Sequence, residues 1–537
     1  MDTNRPDTGQ PRLKETLASI AENIFDDLGK TFPLSCWSDE FHYFPQIVPP
    51  QGLPDGWDDF TQEKIADLAA RLASAERAIE SIAREAEALD TLIDTLIDAH
   101  TLARTLRTLR EQLVDVRFHQ RQPTFHLTLL CTALAAALGE ADRRAWITRT
   151  ASLPAFLQQA QHILTDMPEL FRDLGLEMIR DLLAWLRSLD MEQKDLAPVC
   201  RAIERFADFL KRAPTTGDDL LSPEIVGRIV GEHLGCGVGI DGVRESLIEE
   251  IDATGRIMAE QRASLPPGCG PSSATPEETP FAQSAEGMLE MYRKEADRLL
   301  AHCLARGIVP QELPTISPLG VSLLPAYLRT IRAASAYSFT PAHPTQKGTF
   351  FIVPSDGPWS DNREELAEYR MLTAHETYPG HHLLDTYRWH VVPALRRPLE
   401  NPLFYEGWAC FAEELMRMTG YFSAPADRNL LAKRRYRRAI RGLVDLDLQT
   451  GRLDLRSAAR RLIEAGFAPD AAASIVPKYA LRPGIQVCYT FGFKRFTDLF
   501  RRYGRQDAKG FAREVLSRGE IGFDLLEQHL HRRCGQS

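Results

Sequence analysis

Between residues 60 and 118 apolar side chains return every three or four positions. Ile65, Leu68, Leu72, Ala75, Ile79, Ile82, Ala86, Leu89, Ile93 and Leu96 fall on one stripe of a helix. Leu102, Leu106, Leu109, Leu113 and Val116 continue the stripe with a small shift. A stripe this long belongs either to a coiled-coil partner helix or to an intramolecular helical hairpin. Polar breaks near His100 and at "RQP" (121–123) allow a return, so the hairpin is expected. Helical spacing resumes from 124 to 258, with "PTTGDD" (214–219) as a loop, and no repeat of fixed period emerges.

Periodicity then stops. "LPPGCGPSSATPEETP" (265–280) is rich in Pro, Gly and Ser and reads as a linker or surface loop. It closes on a helix start, with Thr275 as cap, Pro276 at the first helical position and Glu278 completing a capping box. After it comes almost the only strand signal, "GTFFIV" (348–353), short, β-branched and aromatic, and ended by the turn residues "SDGPW". The rest returns to helix. The pattern therefore predicts a mainly α chain with a small β element. Its organisation is expected to be a helical N-terminal region (1–264), a linker (265–280) and a second region (281–537).

Composition narrows the class. A chain of 537 residues exceeds one compact core, and 44% hydrophobic with 26% charged residues is ordinary for a globular protein. The net charge of −10 argues against nucleic acid or an anionic membrane as partner. The arginine-rich "KRRYRRAIR" (433–441) recurs at helical spacing and reads as a solvated or salt-bridged helix face. The start, "MDTNRPDTGQPRLKE", lacks the apolar core of a signal peptide, and no run reaches the ~18 apolar residues of a membrane span. Nine dispersed cysteines without a C-x-x-C pair fit reduced thiols, so a cytoplasmic location is expected, with Cys410 and Cys488 as small buried residues.

The chemistry concentrates in "HETYPGHH" (375–382). It opens like the zinc-peptidase signature H-E-x-x-H, but Pro379 stands where the second histidine belongs. The preceding "REELAEYRMLTAHETY" is helical in pattern and puts His375 and Glu376 near a helix end. On a helix, positions i and i+4 project ~40° apart, whereas i and i+6 do not share a face. Pro379 and Gly380 disfavour a straight helix, and a bulged turn there brings His381 to where i+4 would lie. His382 is the rival ligand, on the His375 face of an unbroken helix but about two turns, roughly 10 Å, along it. A third ligand is offered by Glu406 in "FYEGWACFAEEL" (404–415), 25 residues after His381, with Glu413 two helical turns further on to support a ligand histidine.

"HETYPGHH", "YEGWACFAEE" and "PKYALRPGIQVCYTFGFKRF" (477–496) resemble a bacterial family of unknown function, DUF885. The motifs cover about 280–537, and the helical N-terminal part is similar more loosely. That family looks distantly like zincins of the gluzincin type, among them thimet oligopeptidase, angiotensin-converting enzyme and carboxypeptidase Taq. The resemblance implies an elongated multi-helical fold with a deep cleft, and it marks His375, Glu376, His381, Glu406, Gln486, Tyr489 and Gly492. Leu384 and Gln449 depart from it, standing where Gln and His are expected.

The implied chemistry is that of one zinc ion per chain, which acidifies water and polarises a carbonyl. His375, His381 and Glu406 are the expected ligands and Glu376 the general base. Tyr489 is either an oxyanion donor or a core tyrosine. "GTFFIV", with Phe351, is expected to be an edge strand that receives an extended peptide, and Gln486 to contact substrate. The function expected is zinc-dependent hydrolysis of amide bonds in short peptides or amino-acid conjugates. The alternatives are a biosynthetic amide-processing enzyme on a non-peptide substrate and a non-catalytic helical interaction protein. The expected partner is a small peptide or amide, with neither nucleic acid nor membrane, and with homodimerisation left open.

Overall fold

The computed structural model describes residues 9–47, 54–88, 93–139, 143–217, 220–264, 284–324, 335–339, 348–353, 363–504 and 507–535. The apolar stripe near the N-terminus folds as anticipated in kind. Helix Gln62–Glu87 buries Ile65, Leu68, Leu72, Ile79 and Ile82, and helix Ile93–Glu111 packs back on it with Ile97, Leu102, Leu106 and Leu109. The turn is not where the polar breaks suggested. It lies between Glu87 and Ile93, and His100 sits inside the second helix. The stripe hides the turn because Ala86, Ile93 and Leu96 keep helical spacing across it.

Helix Pro123–Gly139, which carries no charged residue, is buried on nearly every side, and helices Arg144–Ile163 and Glu169–Ser188 pack against it. One hydrophobic cluster runs from Leu13 to Leu530 and joins side chains of the N-terminal helices to those around the histidine motif. The linker at 265–280 and its capping box lie outside the described residues, as do the turn after the strand and the last two residues of the 214–219 loop. The next described helix, Ala285–Ala305, starts at Ser284, whose side chain accepts a hydrogen bond from Gly287 N. Among the described residues no helix is long and apolar enough to cross a membrane.

Among the described residues three short strands form one sheet: β1 (Gly320–Leu323), β2 (Ala336–Ser338) and β3 (Thr349–Ile352), in the order β1-β3-β2. β3 runs parallel to β1 and antiparallel to β2, with Phe350 opposite both Val321 and Tyr337. This corrects the edge-strand expectation for 348–353, since β3 is the middle strand and both its edges are paired. Alternation in a strand tells which side chains are buried, here Phe350 and Ile352 against Met288, Tyr292 and Tyr369. It does not tell whether the backbone edges are free. The edge strand beside the histidine motif is β2.

Candidate metal centre

The motif helix, Arg363–Glu376, ends where Pro379 and Gly380 intervene, and a new helix, His381–His390, starts at once. The Tyr378–Pro379 peptide is cis. A side chain at Gly380 would collide with the carbonyl oxygens of His375 and Ala374, so only glycine lets the turn close against the helix end. Trp408 fastens the break from outside, its Nε1–H donating to Pro379 O at 2.9 Å.

The turn brings His375 and His381 together, with ring centroids 4.8 Å apart and planes at 87°. Glu406 meets them from helix Pro402–Met418, which begins with Asn401 capping Leu403 N and Phe404 N. Its Oε2 lies 3.5 Å from His375 Nε2 and 3.7 Å from His381 Nε2. Zinc bonds of ~2.0–2.1 Å at tetrahedral angles space donor atoms ~3.4 Å apart. All three donor atoms fall within 4.8 Å of one another. Glu406 Oε2 is buried and accepts no hydrogen bond. Two imidazole nitrogens and one carboxylate oxygen, drawn together around an unsatisfied acceptor, suit a divalent cation such as zinc.

Glu406 and Glu413 are seven residues apart on one helix face and take opposite nitrogens of the same ring. Glu413 Oε1 lies 3.1 Å from His375 Nδ1. Glu413 is in turn held by Arg434 (3.0 and 3.1 Å) and Arg438 (2.7 Å), and Arg434 reaches on to Glu368 at 2.8 Å. Burial works to raise the Glu413 carboxyl, but Arg434, Arg438 and His375 outweigh it and hold it well below the usual range. Burial likewise works to lower His375, and its contacts with Cys410, Glu406 and Glu413 overcome that and hold it well above the ordinary imidazole value. His381 is stacked on Tyr405, centroids 4.0 Å apart.

His382 points elsewhere. Its Nδ1 lies 3.2 Å from the Tyr337 hydroxyl, and its Nε2 lies 3.1 Å from both Ser317 O and the Tyr378 hydroxyl. Burial pushes it down to about 4, so it is a neutral, internally bonded ring. Between the two rivals the geometry groups His381 with Glu406. Glu376, beside His375, aims its carboxylate at β2, where Oε2 accepts the Tyr337 N–H at 2.8 Å. Tyr489, in helix Val487–Tyr503, is half-buried, and burial together with the adjoining Glu406 carboxylate pushes its phenol well above its ordinary value. Gln486 caps that helix, its backbone N–H donating to Asp445 Oδ2 at 3.1 Å. Phe351 lies half-buried in β3, on the face opposite Phe350.

The profile of the family described as bacterial protein of unknown function (DUF885) matches residues 49–530. The chain belongs to this family. Two solved structures share the DUF885 chain's fold along nearly its whole length. A candidate lipoprotein of unknown function from Shewanella oneidensis is 16% identical, with a TM-score of 0.72 over 95% of this chain and 99% of its own. A candidate lipoprotein from Colwellia psychrerythraea is 16% identical, with a TM-score of 0.74 over 98% and 100%. At that identity they show the fold alone. Metallocarboxypeptidase 1 of Trypanosoma cruzi, 11% identical over 98% and 99%, gives a TM-score of 0.35, too low to carry an argument. No curated protein matches the sequence.

The sequence reading missed the arginines. Helix Pro425–Gln449 carries the 433–441 run, read there as a solvated or salt-bridged face. It is salt-bridged, but Arg434 and Arg438 are nearly enclosed beneath His375 and Glu413. The signal was present: Arg434, Arg438, Arg441, Asp445 and Gln449 follow at steps of four and three, which makes one polar stripe, and a polar stripe is buried when a polar site lies against it.

Proposed function

We propose that this protein is a zinc-dependent hydrolase of amide bonds in short peptides or amino-acid conjugates. The observation that carries the reading is the approach of His375, His381 and Glu406 around the unpartnered Glu406 oxygen, with the Glu376 carboxylate next to them in the chain. A cation held by those three side chains supplies a Lewis acid that polarises a carbonyl and acidifies water. Glu376 uses one carboxylate oxygen to take a proton from the attacking water and return it to the leaving nitrogen, while Tyr337 N–H steadies the other. The Tyr489 hydroxyl, which burial keeps protonated, donates to the substrate oxygen as that oxygen becomes negative. Glu413 and its arginines fix the His375 ring so that Nε2 keeps its lone pair toward the centre.

The test is elemental analysis of purified, unchelated protein, together with assay against dipeptide and tripeptide libraries with and without chelator. One zinc per chain and chelator-sensitive hydrolysis are expected. Protein free of zinc, or hydrolysis indifferent to chelation, overturns the reading.

A further inference from the structure

Along helix Pro425–Gln449 the partly or fully buried arginines are paired one by one, leaving aside the exposed Arg428. Arg434 and Arg438 hold Glu413, Arg435 holds Glu250 at 2.7 Å, and Arg437 lies 3.8 Å from Glu368. Arg441 is the exception. Among the described residues its guanidinium makes no ion pair and no hydrogen bond, and its Nε is buried with no acceptor. What it does have is an aromatic platform: Arg441 Cζ stands 4.8 Å from the centroid of the Tyr489 ring. The acidic residue one turn along the helix, Asp445, is engaged elsewhere, accepting from Gln486 N at 3.1 Å and Gln449 Nε2 at 3.4 Å. The hydroxyl of Tyr479, a residue only 6% exposed that feels the Arg441 charge, is also buried without a partner.

A half-buried cation, held over a ring and lacking an internal counter-ion among the described residues, leaves a desolvated donor that an external anion would satisfy. A guanidinium matches a carboxylate with two parallel N–H···O bonds. The position fits a substrate group. Tyr489 lies between the two, its ring under Arg441 and the Glu406 carboxylate adjoining it, so the guanidinium stands on the order of 10 Å from the candidate metal-binding carboxylate. One to two extended residues, at ~3.5 Å each with their side chains or termini, cover that distance.

We propose that Arg441 receives a carboxylate of the substrate one or two residues from the amide that is cut, so that the enzyme selects acidic or free-acid peptides. The proposal rests on reading the site as an amide hydrolase. The carboxylate has two sources, a chain terminus or an acidic side chain, and paired probes separate them. The first pair is Ala-Ala-Ala and its C-terminal amide; the second is the amides of Ala-Ala-Glu and Ala-Ala-Gln. Each is measured as kcat/KM on the zinc-loaded protein and, without turnover, as equilibrium binding to the Glu376→Gln protein.

A preference of ~10- to 100-fold for the acid member of one pair is expected, the range of a charge-assisted pair. Arg441→Gln should bring that ratio close to one, and Arg441→Lys, which keeps the charge but not the fork, should retain part of it. A purely structural arginine predicts a lower melting temperature with the ratio intact. Binding of acid and amide alike in both pairs, binding of neither, or a preference that survives Arg441→Gln overturns the proposal. If no peptide is hydrolysed, the hydrolase reading fails, and the binding ratio still decides on Arg441.

Discussion

Replacing Glu413 by Gln tests how far the metal-facing cluster depends on the charges beneath it. The side chain is 2% exposed and meets His375 Nδ1, Arg434 and Arg438. The amide keeps the shape but removes the charge that both guanidinium groups and the imidazole face. Two effects should separate. The metal-free fold should lose about 3–5 kcal/mol, the cost of leaving buried charges without their partner. Zinc affinity should fall ~10- to 100-fold, as it does when a carboxylate supporting a ligand histidine is lost. In linkage terms zinc would then stabilise the variant by about 1.4–2.7 kcal/mol less than the parent at equal free zinc. Melting curves are a blunt instrument here, since ~2.1 cal/mol/K per residue makes each kcal/mol worth only about 1 °C in a chain of 537 residues. Competition with a chromophoric chelator reads the affinity directly, and denaturant unfolding in excess chelator reads the metal-free loss. Unchanged zinc affinity in Glu413→Gln, with the stability loss present, would show that the pair with His375 is structural only. No zinc binding by the parent would refute the whole chain of reasoning.

Glu376→Gln should abolish hydrolysis with zinc content near normal, because an amide cannot accept the proton yet no ligand is lost; metal analysis beside a turnover assay checks it. His381→Ala should lose the metal while His382→Ala retains it with reduced stability, since His382 bonds only inward to Tyr337, Ser317 and Tyr378; the reverse pattern in metal analysis sinks the assignment. Tyr489→Phe should lower kcat by ~10²–10³ with little change in KM and cost about 1 kcal/mol of stability, whereas full turnover with a reduced melting temperature would make it a core tyrosine. The gap in melting temperature between zinc-loaded and chelated protein should widen from pH 6 to pH 9. In the chelated chain His375 is held above its ordinary value near 6.5, so its contribution is complete below that pH and fades as pH rises through the raised value, while zinc needs the neutral ring. A gap independent of pH refutes this.

Local spacing carried much of this protein. The apolar stripes named the long helices and their buried faces, because which side chains share a face follows from 3.6 residues per turn and nothing else. The spacing put His375 and Glu376 near a helix end, and the Pro379–Gly380 interruption argued for a bulged turn after them, because backbone limits at those two residues are intrinsic. Glu406 and Glu413 could be paired in advance because seven residues make two turns.

What lay across from each face was decided only in three dimensions. The stripe is two packed helices, Gln62–Glu87 and Ile93–Glu111, and its unbroken spacing is compatible with either one helix or two. β3 took the middle of its sheet because edge pairing depends on β1 and β2, which are 29 and 13 residues before it and carry almost no strand signal of their own. His381 rather than His382 turned to Glu406 because Tyr337 and Ser317, both distant in the chain, joined the nearby Tyr378 in claiming the other ring. The arginine run was legible as a stripe but not as a buried one. Enclosing a cation is favourable only once a carboxylate such as Glu413 arrives from another helix to meet it, and that meeting is a property of the fold, not of the segment.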